Sequence, residues 1–375
     1  MSDEQKRTWL EIHLDNLTHN VKEIRARLPE NCRYMGVVKA NAYGHGALQV
    51  AGSLVEAGCD YLAVACLDEA MTLRQGGIDA PILILGYTAP EYAGLLAENH
   101  ISQTISSLDM AAAFSERLHG QSLTCHLKLE TGMGRTGFRT ESPEEMEQAS
   151  TALSLPGLDF EGVFTHFAVS DEPAETAFTE MQYQRFTGAY AALERLWGRR
   201  FAIHHCANTG AVINYPQYAL DMVRPGLATY GLYPAAETGA LELRPVMEMK
   251  TRVTQITSHE AGDTISYGRK FRAEKPMRIA VLSIGYADGL FRGLSGKMEV
   301  LIRGHRVRQI GRICMDMCMA DVTDFPDIRT GDVVTIFGRD GEESISADAL
   351  AETLDTISYE ILCAVSPRVP HVYVK

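Results

Sequence analysis

Reactive side chains in this sequence stand at the ends of apolar runs, where folding can bury part of them. Lys39 directly follows the apolar run MGVV. Burial there lowers the pKa of an ammonium and favours the neutral amine, which forms Schiff bases with carbonyl compounds. The alternative is that the stem of Lys39 is buried while its charged head reaches solvent. Lys39 is thus a candidate for covalent and acid/base chemistry.

Two glycine-rich segments add candidate groups for binding anions. ANAYGHG (40–46) combines the phenol of Tyr43 with exposed backbone amides, which suit a phosphate ester; a turn before a helix is the alternative. LETGMGRTGF (129–138) carries Arg135, whose guanidinium could bind the carboxylate of a small substrate. The alternative role for Arg135 is a structural salt bridge.

Imidazole and guanidinium groups lie inside other apolar segments. His166 in FTHFA is either a buried structural histidine or a catalytic group, and at most one of the consecutive His204 and His205 can face the inside of a barrel. Arg224 in VRPG needs a strong acceptor, because burying an unpaired guanidinium costs several kcal/mol. That acceptor is either a carboxylate such as Asp221 or the ring nitrogen of a cofactor.

Apolar runs rich in β-branched residues alternate with helical patterns such as Leu17, Val21, Ile24 and Leu28. This alternation predicts a closed (β/α)8 barrel over residues 12–240, in which residues at the carboxyl ends of the strands meet at one rim. The predicted strands are 35–40, 61–66, 81–86, 102–106, 124–130, 161–168, 202–208 and 221–231.

The pattern changes to strands and tight turns beyond the barrel, which predicts a mainly β domain over 241–375 with one late helix, SADALAETLDTIS. The alternating segment TWLEIHL near the N-terminus predicts a strand, bounded at 1–11, that joins this domain. Tyr267, in ISYGRKF, falls here. It is either a core tyrosine or a functional residue that a neighbouring subunit supplies to the site.

Composition narrows the class of partner. The 375 residues carry a net charge of −13, which argues against nucleic-acid and membrane binding and favours a small molecule. The first residues lack the apolar core of a signal peptide, so we expect a cytoplasmic protein. Eight cysteines without CxxC pairs or zinc spacing predict reduced thiols and no metal site.

Nine motifs, read together, resemble those of the alanine racemases in order and spacing over nearly the whole chain. They are VVKANAYGHG, LETGMGRTGF, FTHFA, HHCANTGA, VRPGLATYGLYP, ISYGRKF, SIGYADG, GRICMDM and TISYEILC. The resemblance implies a homodimer with shared active sites. In each site Lys39 carries pyridoxal phosphate as an internal aldimine and acts as one base, and Tyr267 of the partner subunit acts as the other.

The resemblance also implies roles for the remaining site residues. The phosphate would lie among Tyr43, Asn208, Thr209, Gly226, Leu227 and Tyr359. Arg224 would face the ring nitrogen, and His166 would abut the ring and link Arg224 to Tyr267. Arg135 and the backbone of Met315 would receive the substrate carboxylate, and Tyr286 would lie near the entrance. His205 and Asp316 would have supporting roles. Lys128 matches a position that is carbamylated in many members of the family. Thr209 and Glu130 stand where serine and aspartate are common in the family.

Interconversion of L- and D-alanine, supplying D-alanine for peptidoglycan, is the function that this resemblance implies. A serine or broad-specificity racemase is the first alternative. A barrel-type decarboxylase is less consistent, because those enzymes set an acidic residue against the ring nitrogen where this chain has Arg224. A homeostasis protein that binds pyridoxal phosphate without turnover normally lacks the β domain that Tyr267 occupies.

Overall fold

The computed structural model describes residues 6–234 and 241–375. Two compact units make up the chain. The barrel unit comprises the described residues of Asn16–Ala42 and Gly46–Arg244, and the β unit comprises those of Met1–Asp15, Tyr43–His45 and Pro245–Lys375. The barrel end predicted at residue 240 and the first five residues of the predicted N-terminal strand lie outside the described residues.

The strands are, in chain order, β1 (Thr8–His13), β2 (Arg33–Val37), β3 (Tyr61–Val64), β4 (Ile82–Ile84), β5 (Ile101–Ile105), β6 (Leu123–Glu130), β7 (Phe138–Arg139), β8 (Leu158–Phe164), β9 (Ile203–His205), β10 (Met222–Val223), β11 (Met247–His259), β12 (Thr264–Ile265), β13 (Phe271–Arg272), β14 (Met277–Leu282), β15 (Glu299–Ile302), β16 (His305–Ile310), β17 (Cys318–Asp321), β18 (Val333–Asp340), β19 (Glu343–Ile345) and β20 (His371–Val374). The α-helices are Leu14–Arg25, Ala47–Glu56, Leu67–Gln75, Ala93–Glu98, Leu108–Arg117, Pro143–Ala152, Thr176–Trp197, Thr209–Asn214, Ala347–Thr353 and Ser358–Cys363.

The predicted barrel is confirmed. Its parallel strands follow the order β10-β2-β3-β4-β5-β6-β8-β9, and β7 pairs with β6 outside this ring. Two backbone hydrogen bonds close the ring between its end strands, from Asp221 N to His204 O at 3.1 Å and from Arg224 N to Ala207 O at 2.9 Å. In Leu14–Arg25, Leu17, Val21 and Ile24 are buried as the helical pattern predicts, whereas Leu28 of the same pattern lies past the end of the helix.

Several predicted strand ends were wrong, and each error bears on a site residue. The eighth strand is Met222–Val223 rather than 221–231. Arg224 therefore follows the strand, because Pro225 has no N–H for a ladder and Leu227–Tyr230 forms a 3-10 turn. β2 ends at Val37 and β8 at Phe164, so Lys39 and His166 lie just beyond their strands rather than within them.

A left-handed turn over Lys39–Tyr43 explains the early end of β2. The residues Ala40, Asn41, Ala42 and Tyr43 have φ between 52° and 55°. Such values cost roughly 1–2 kcal/mol per residue that is not glycine, so the surroundings must hold them. Within the barrel unit Glu69 does so, since its two carboxylate oxygens accept from the N–H groups of Ala40 and Ala65, each at 2.7 Å.

The β unit confirms the predicted mainly β domain. Its sheet has the order β19-β18-β15-β16-β17-β14-β11-β1-β20, in which β1 pairs antiparallel with β11 and parallel with β20. The predicted late helix, 346–358, is confirmed only over Ala347–Thr353, and a second helix, Ser358–Cys363, begins after the extended Ile357. Nowhere in 6–234 or 241–375 is a helix long and apolar enough to cross a membrane.

Candidate active site

The guanidinium of Arg224 is buried among neutral acceptors. Nη1 donates to Nδ1 of His205 at 2.8 Å, and Nη2 donates to the carbonyls of Thr165 at 2.7 Å and Cys206 at 3.2 Å. No carboxylate pairs with Arg224 in the described ranges. Burial lowers its pKa to about 10, which leaves it charged near neutral pH.

Asp221 is not the partner of Arg224. Its carboxylate accepts from the backbone N–H of His204 at 2.8 Å and contacts Nδ1 of that imidazole at 2.6 Å, while Glu194 contacts Nε2 at 2.9 Å. His205, the next residue of β9, is the one directed at Arg224, as the alternation of strand side chains requires. Arg224 is therefore a buried cation without a carboxylate partner in the described residues, and a strong acceptor facing it would lower its free energy.

His166 is a buried imidazole close to Arg224 and influenced by several other positive charges. Its Nδ1 is 3.5 Å from Nη2 of Arg224. Burial, and then the positive charges of Arg224, Arg135, Lys128 and Lys39, hold the pKa of His166 well below its usual value. The barrel unit thus gathers these predicted site residues around a neutral imidazole.

Lys128 on β6 is almost fully buried. Its Nζ donates to the carbonyl of Leu129 at 2.7 Å and lies 5.6 Å from the ring centre of Phe164. Burial lowers the pKa of Lys128 to about 7; Glu130 opposes this shift, and Arg224 and Arg135 add to it. A substantial fraction of this amine is therefore neutral near pH 7, the state that reacts with carbon dioxide.

Arg135 sits in an exposed loop that Glu130 organises. The Glu130 carboxylate accepts from the N–H of Gly132 at 2.5 Å and of Arg135 at 3.2 Å. Although burial raises the pKa of Glu130, hydrogen bonds from Gly134, Gly132 and Arg135 outweigh it and lower the pKa. The Arg135 guanidinium forms no ion pair with the residues that the structure describes, so the predicted alternative of a structural salt bridge is wrong for this part of the chain.

Two buried backbone N–H groups just past β10 have no acceptor among the residues that the structure describes. Gly226 and Leu227 are buried, and neither N–H donates to an atom of residues 6–234 or 241–375. Unpaired buried N–H groups are rare in proteins, so two in succession indicate a missing acceptor. The Oδ1 of Asn208 accepts from Ala211 N at 3.1 Å as a helix cap, and buried Thr209 lies beside it at the start of that helix.

Two predicted phosphate ligands meet in the β unit although they are far apart in sequence. The rings of Tyr43 and Tyr359 have centres 5.6 Å apart. Burial, followed by the proximity of Tyr359, raises the pKa of Tyr43, so its phenol remains a hydrogen-bond donor. Gly44 makes this approach possible, because a Cβ there would lie 2.4 Å from the carbonyl oxygen of Leu362.

Tyr267 is 69% exposed and lies in a strained turn of the β unit. Ser266 before it has φ 66°, and its hydroxyl donates to the carbonyl of Arg312 at 2.6 Å. An open groove of about 800 Å³ runs past Tyr267 and is lined also by the exposed side chains of Met315 and Met317. The phenol is thus presented outward from its own β unit.

An ionic cluster holds the Met315 loop and Tyr286. The buried carboxylate of Asp288 contacts the guanidinium of Arg7 and Nε of Arg368, the latter at 2.8 Å. Arg368 also reaches Asp316 at 2.9 Å. The carbonyl of Met315 accepts from Ala287 at 3.0 Å, whereas its N–H donates to no atom of the described residues.

Three supporting residues were not predicted from the sequence. Glu69 clamps the turn after Lys39, Asp288 anchors the Met315 loop, and His126 contacts His205. Asp288 could have been found, because it lies in SIGYADG, one of the motifs that carry the family resemblance. Glu69 and His126 lie in segments whose periodicity shows burial but not partners.

The fold is a closed parallel barrel followed by a β unit. Arg224, a buried cation, and Lys39 lie just past the carboxyl ends of barrel strands, which is typical of an enzyme that acts on small molecules. The family description "Alanine racemase, N-terminal domain" matches residues 12–234, and "Alanine racemase, C-terminal domain" matches 246–373. An alanine racemase of Desulfosudis oleivorans is 44% identical over 376 residues, covering 97% of this chain and 96% of the relative.

Solved structures agree with this match. The alanine racemase of Clostridium difficile 630 has a TM-score of 0.92 at 40% identity, covering 98% of this chain and 96% of that one. The Bacillus anthracis alanine racemase with bound L-Ala-P has a TM-score of 0.93 at 38% identity, covering 99% and 95%. The chain therefore belongs to the alanine racemase family, a family of isomerases.

Proposed function

We propose that the protein interconverts L- and D-alanine with pyridoxal phosphate, and that Lys39 and Tyr267 of the partner subunit exchange protons with Cα from opposite sides. The observation that carries this proposal is the buried Arg224 guanidinium, which is surrounded by neutral acceptors and has no carboxylate partner in the described ranges. Supplying D-alanine for peptidoglycan is the biological role that accompanies this activity.

The residues present fit this cofactor. The N–H groups of Gly226 and Leu227 lack acceptors among residues 6–234 and 241–375, and they suit the phosphate, with Asn208, Thr209, Tyr43 and Tyr359 as further ligands. Lys39, just past β2, would anchor the carbonyl carbon. When bound, pyridoxal phosphate delocalises the charge that remains on Cα after its proton leaves.

Arg224 selects racemisation over transamination. A guanidinium donates hydrogen bonds and cannot accept a proton, so a ring nitrogen facing it stays unprotonated. By keeping that nitrogen unprotonated, Arg224 would favour return of the proton to Cα over its addition elsewhere. His166, neutral and 3.5 Å from Arg224, would border the ring.

Inversion at Cα requires one group that removes the proton and another that returns it from the opposite side. Lys39 supplies an amine from the barrel unit. The phenol of Tyr267 is 69% exposed in the single chain, which suits donation to a second copy of the protein. We therefore propose a homodimer in which each site combines Lys39 with Tyr267 of the partner subunit.

Arg135 and the N–H of Met315 are proposed to bind the substrate carboxylate. The Arg135 guanidinium and the Met315 N–H each lack an acidic or carbonyl partner in the parts of the chain that the structure describes, and both lie in short loops between strands. Tyr286 would border the entrance. Lys128, whose pKa burial lowers to about 7, would be carbamylated and face Arg135.

Racemisation of alanine, serine and lysine in deuterium oxide tests this proposal. We expect deuterium at Cα and loss of optical rotation with alanine, a much lower rate with serine and none with lysine. A Lys39→Ala variant is the control for adventitious catalysis by free cofactor. Absence of exchange from alanine after addition of pyridoxal phosphate would refute the proposed function.

A further inference from the structure

The barrel unit contains a chain of polar side chains that leads away from Arg224 into the interior. Nη1 of Arg224 contacts Nδ1 of His205 at 2.8 Å, and Nε2 of His205 contacts Nδ1 of His126 at 2.9 Å. Nε2 of His126 lies 3.5 Å from a carboxylate oxygen of Glu161. Tyr61 donates to the same oxygen at 3.2 Å.

The donor-only guanidinium fixes the proton positions along this chain. Because Arg224 cannot accept, Nδ1 of His205 must be unprotonated, and the imidazole carries its proton on Nε2. That proton is donated to Nδ1 of His126, so His126 also carries its proton on Nε2, the ring nitrogen that lies 3.5 Å from Glu161. Burial lowers the pKa of both imidazoles, which keeps them neutral near pH 7.

Local sequence creates the space for this arrangement. A Cβ on Gly162 would lie 2.4 Å from Nδ1 of His126, so only glycine leaves room for the ring. The pairing of β6 with β8 shifts register there, since Cys125 pairs with Phe160 and His126 with Gly162. Glu161 is the extra residue of this β-bulge, a device that redirects a side chain.

We propose that Glu161 and His126 are positioning residues for Arg224, which they orient and polarise through His205 from within the barrel. Glu161 supplies the negative charge that Arg224 lacks among its direct contacts in the described residues. The Arg224 guanidinium is thereby held in one direction, and the N–H groups that these contacts do not use are left for another acceptor. This inference rests on the proposed function only for its effect on catalysis.

Solid-state ¹⁵N spectra of histidine-labelled full-length protein test the proton positions directly. We expect His126 and His205 to be neutral and protonated on Nε2, with their signals assigned from His126→Gln and His205→Gln variants. Glu161→Gln should shift the signals of both imidazoles, although Glu161 does not contact His205. A proton on Nδ1 of His126, or an unchanged His205 signal in Glu161→Gln, would overturn the proposal.

Glu194→Gln is the matched control, because Glu194 contacts Nε2 of His204 at 2.9 Å on the other side of β9. It should leave the signals of His126 and His205 unchanged. In assays, Glu161→Gln should raise the ratio of half-transamination to racemisation by about threefold or more, whereas Glu194→Gln should not change it. An unchanged ratio in Glu161→Gln would show that the contacts from Glu161 through His126 and His205 have no role in positioning Arg224.

The ¹⁵N spectra and the activity assays together distinguish a failure of this inference from a failure of the proposed function. If the wild-type protein neither racemises nor transaminates alanine, the proposed function fails, while the spectra still decide whether Glu161 acts on His205. If the wild-type enzyme is active and the spectra contradict the proton positions, the function stands and this inference fails.

Discussion

Nη1 of Arg224 lies 2.8 Å from Nδ1 of His205, so a buried cation is bound to a neutral imidazole. The contact requires an unprotonated Nδ1, since both groups would otherwise be donors. A carboxylate at this place would neutralise Arg224 and weaken its influence on any neighbouring acceptor. The pair therefore keeps a full positive charge at the carboxyl rim of the barrel.

Arg224→Glu should change reaction specificity. A carboxylate facing the cofactor favours a protonated ring nitrogen and a stronger electron sink. We expect slower racemisation and a larger share of half-transamination, measured together by chiral chromatography of alanine and by pyruvate release. Arg224→Lys, which retains a donor and a charge, is the matched control. If the ratio of the two reactions is the same in Arg224→Glu, the guanidinium is structural.

Borohydride reduction should fix the cofactor on Lys39. The purified protein is expected to be yellow, and peptide mass mapping after reduction should find the added mass on the peptide that contains Lys39. Lys128 is the internal comparison, because burial lowers its pKa to about 7 and gives it a reactive amine as well. Attachment to Lys128, or a colourless protein that stays inactive with added cofactor, would contradict the assignment of Lys39.

The fold was predictable because it depends on periodicity. Alternating apolar runs and helical patterns indicated the eight barrel strands, and the change of pattern indicated the mainly β domain. Strand ends were less predictable, since they depend on side-chain contacts that sequence does not show. The end of β2 at Val37 follows from a left-handed turn that Glu69 holds from another segment.

Candidate site residues were predictable by type, but their partners were not. A buried Arg224 required an acceptor, and the sequence left open whether Asp221 supplied it. The structure pairs Asp221 with His204, because consecutive residues of β9 face opposite sides. Proton positions along Arg224, His205 and His126 could be inferred only once three-dimensional contacts were known.

Acid should destabilise the barrel unit before any carboxylate titrates. His126 and His205 are fully buried, and burial lowers the pKa of both. Because their pKa is lowered in the folded state, unfolded imidazoles bind protons more readily below about pH 6.5 than folded ones do. Stability therefore falls as pH decreases from that value, by at most about 1.4 kcal/mol per pH unit for each histidine.

The fluorescence of Trp197 in a Trp9→Phe variant can follow urea unfolding of the barrel unit between pH 7.5 and 5. We expect the unfolding midpoint to decrease with pH, and to decrease less steeply in His205→Gln. His100→Asn, which removes an exposed imidazole at φ 51°, should keep the original slope. A midpoint independent of pH in this window would show that these imidazoles are protonated in the folded state.

Lys128 should bind carbon dioxide in a pH-dependent manner. Its pKa is lowered to about 7, so the neutral amine that forms a carbamate increases as pH rises through this value. With ¹³C-labelled bicarbonate, a protected carbamate signal should grow between pH 6 and 8 and should be absent from Lys128→Met. Lys22→Met is the control for surface amines. A signal that persists in Lys128→Met would assign the modification elsewhere.

Complementation between inactive variants should show whether Tyr267 acts across subunits. Lys39→Ala and Tyr267→Ala homodimers are each expected to be nearly inactive, because each lacks one of the two proton-exchanging groups. In a mixed dimer one site carries both changes and the other carries neither. With random pairing about half of the dimers are mixed, so roughly a quarter of wild-type activity should return by the symmetry of an isologous pair.

Native mass spectrometry of the co-refolded sample should confirm that mixed dimers form. Lys39→Ala mixed with a Lys39→Ala, Tyr267→Ala double variant is the matched control, because every site in that mixture lacks Lys39. It should recover no activity, since exchange alone supplies no intact pair. If mixed dimers of the two single variants form and activity does not return, Lys39 and Tyr267 serve the same site from one chain, or they do not act together.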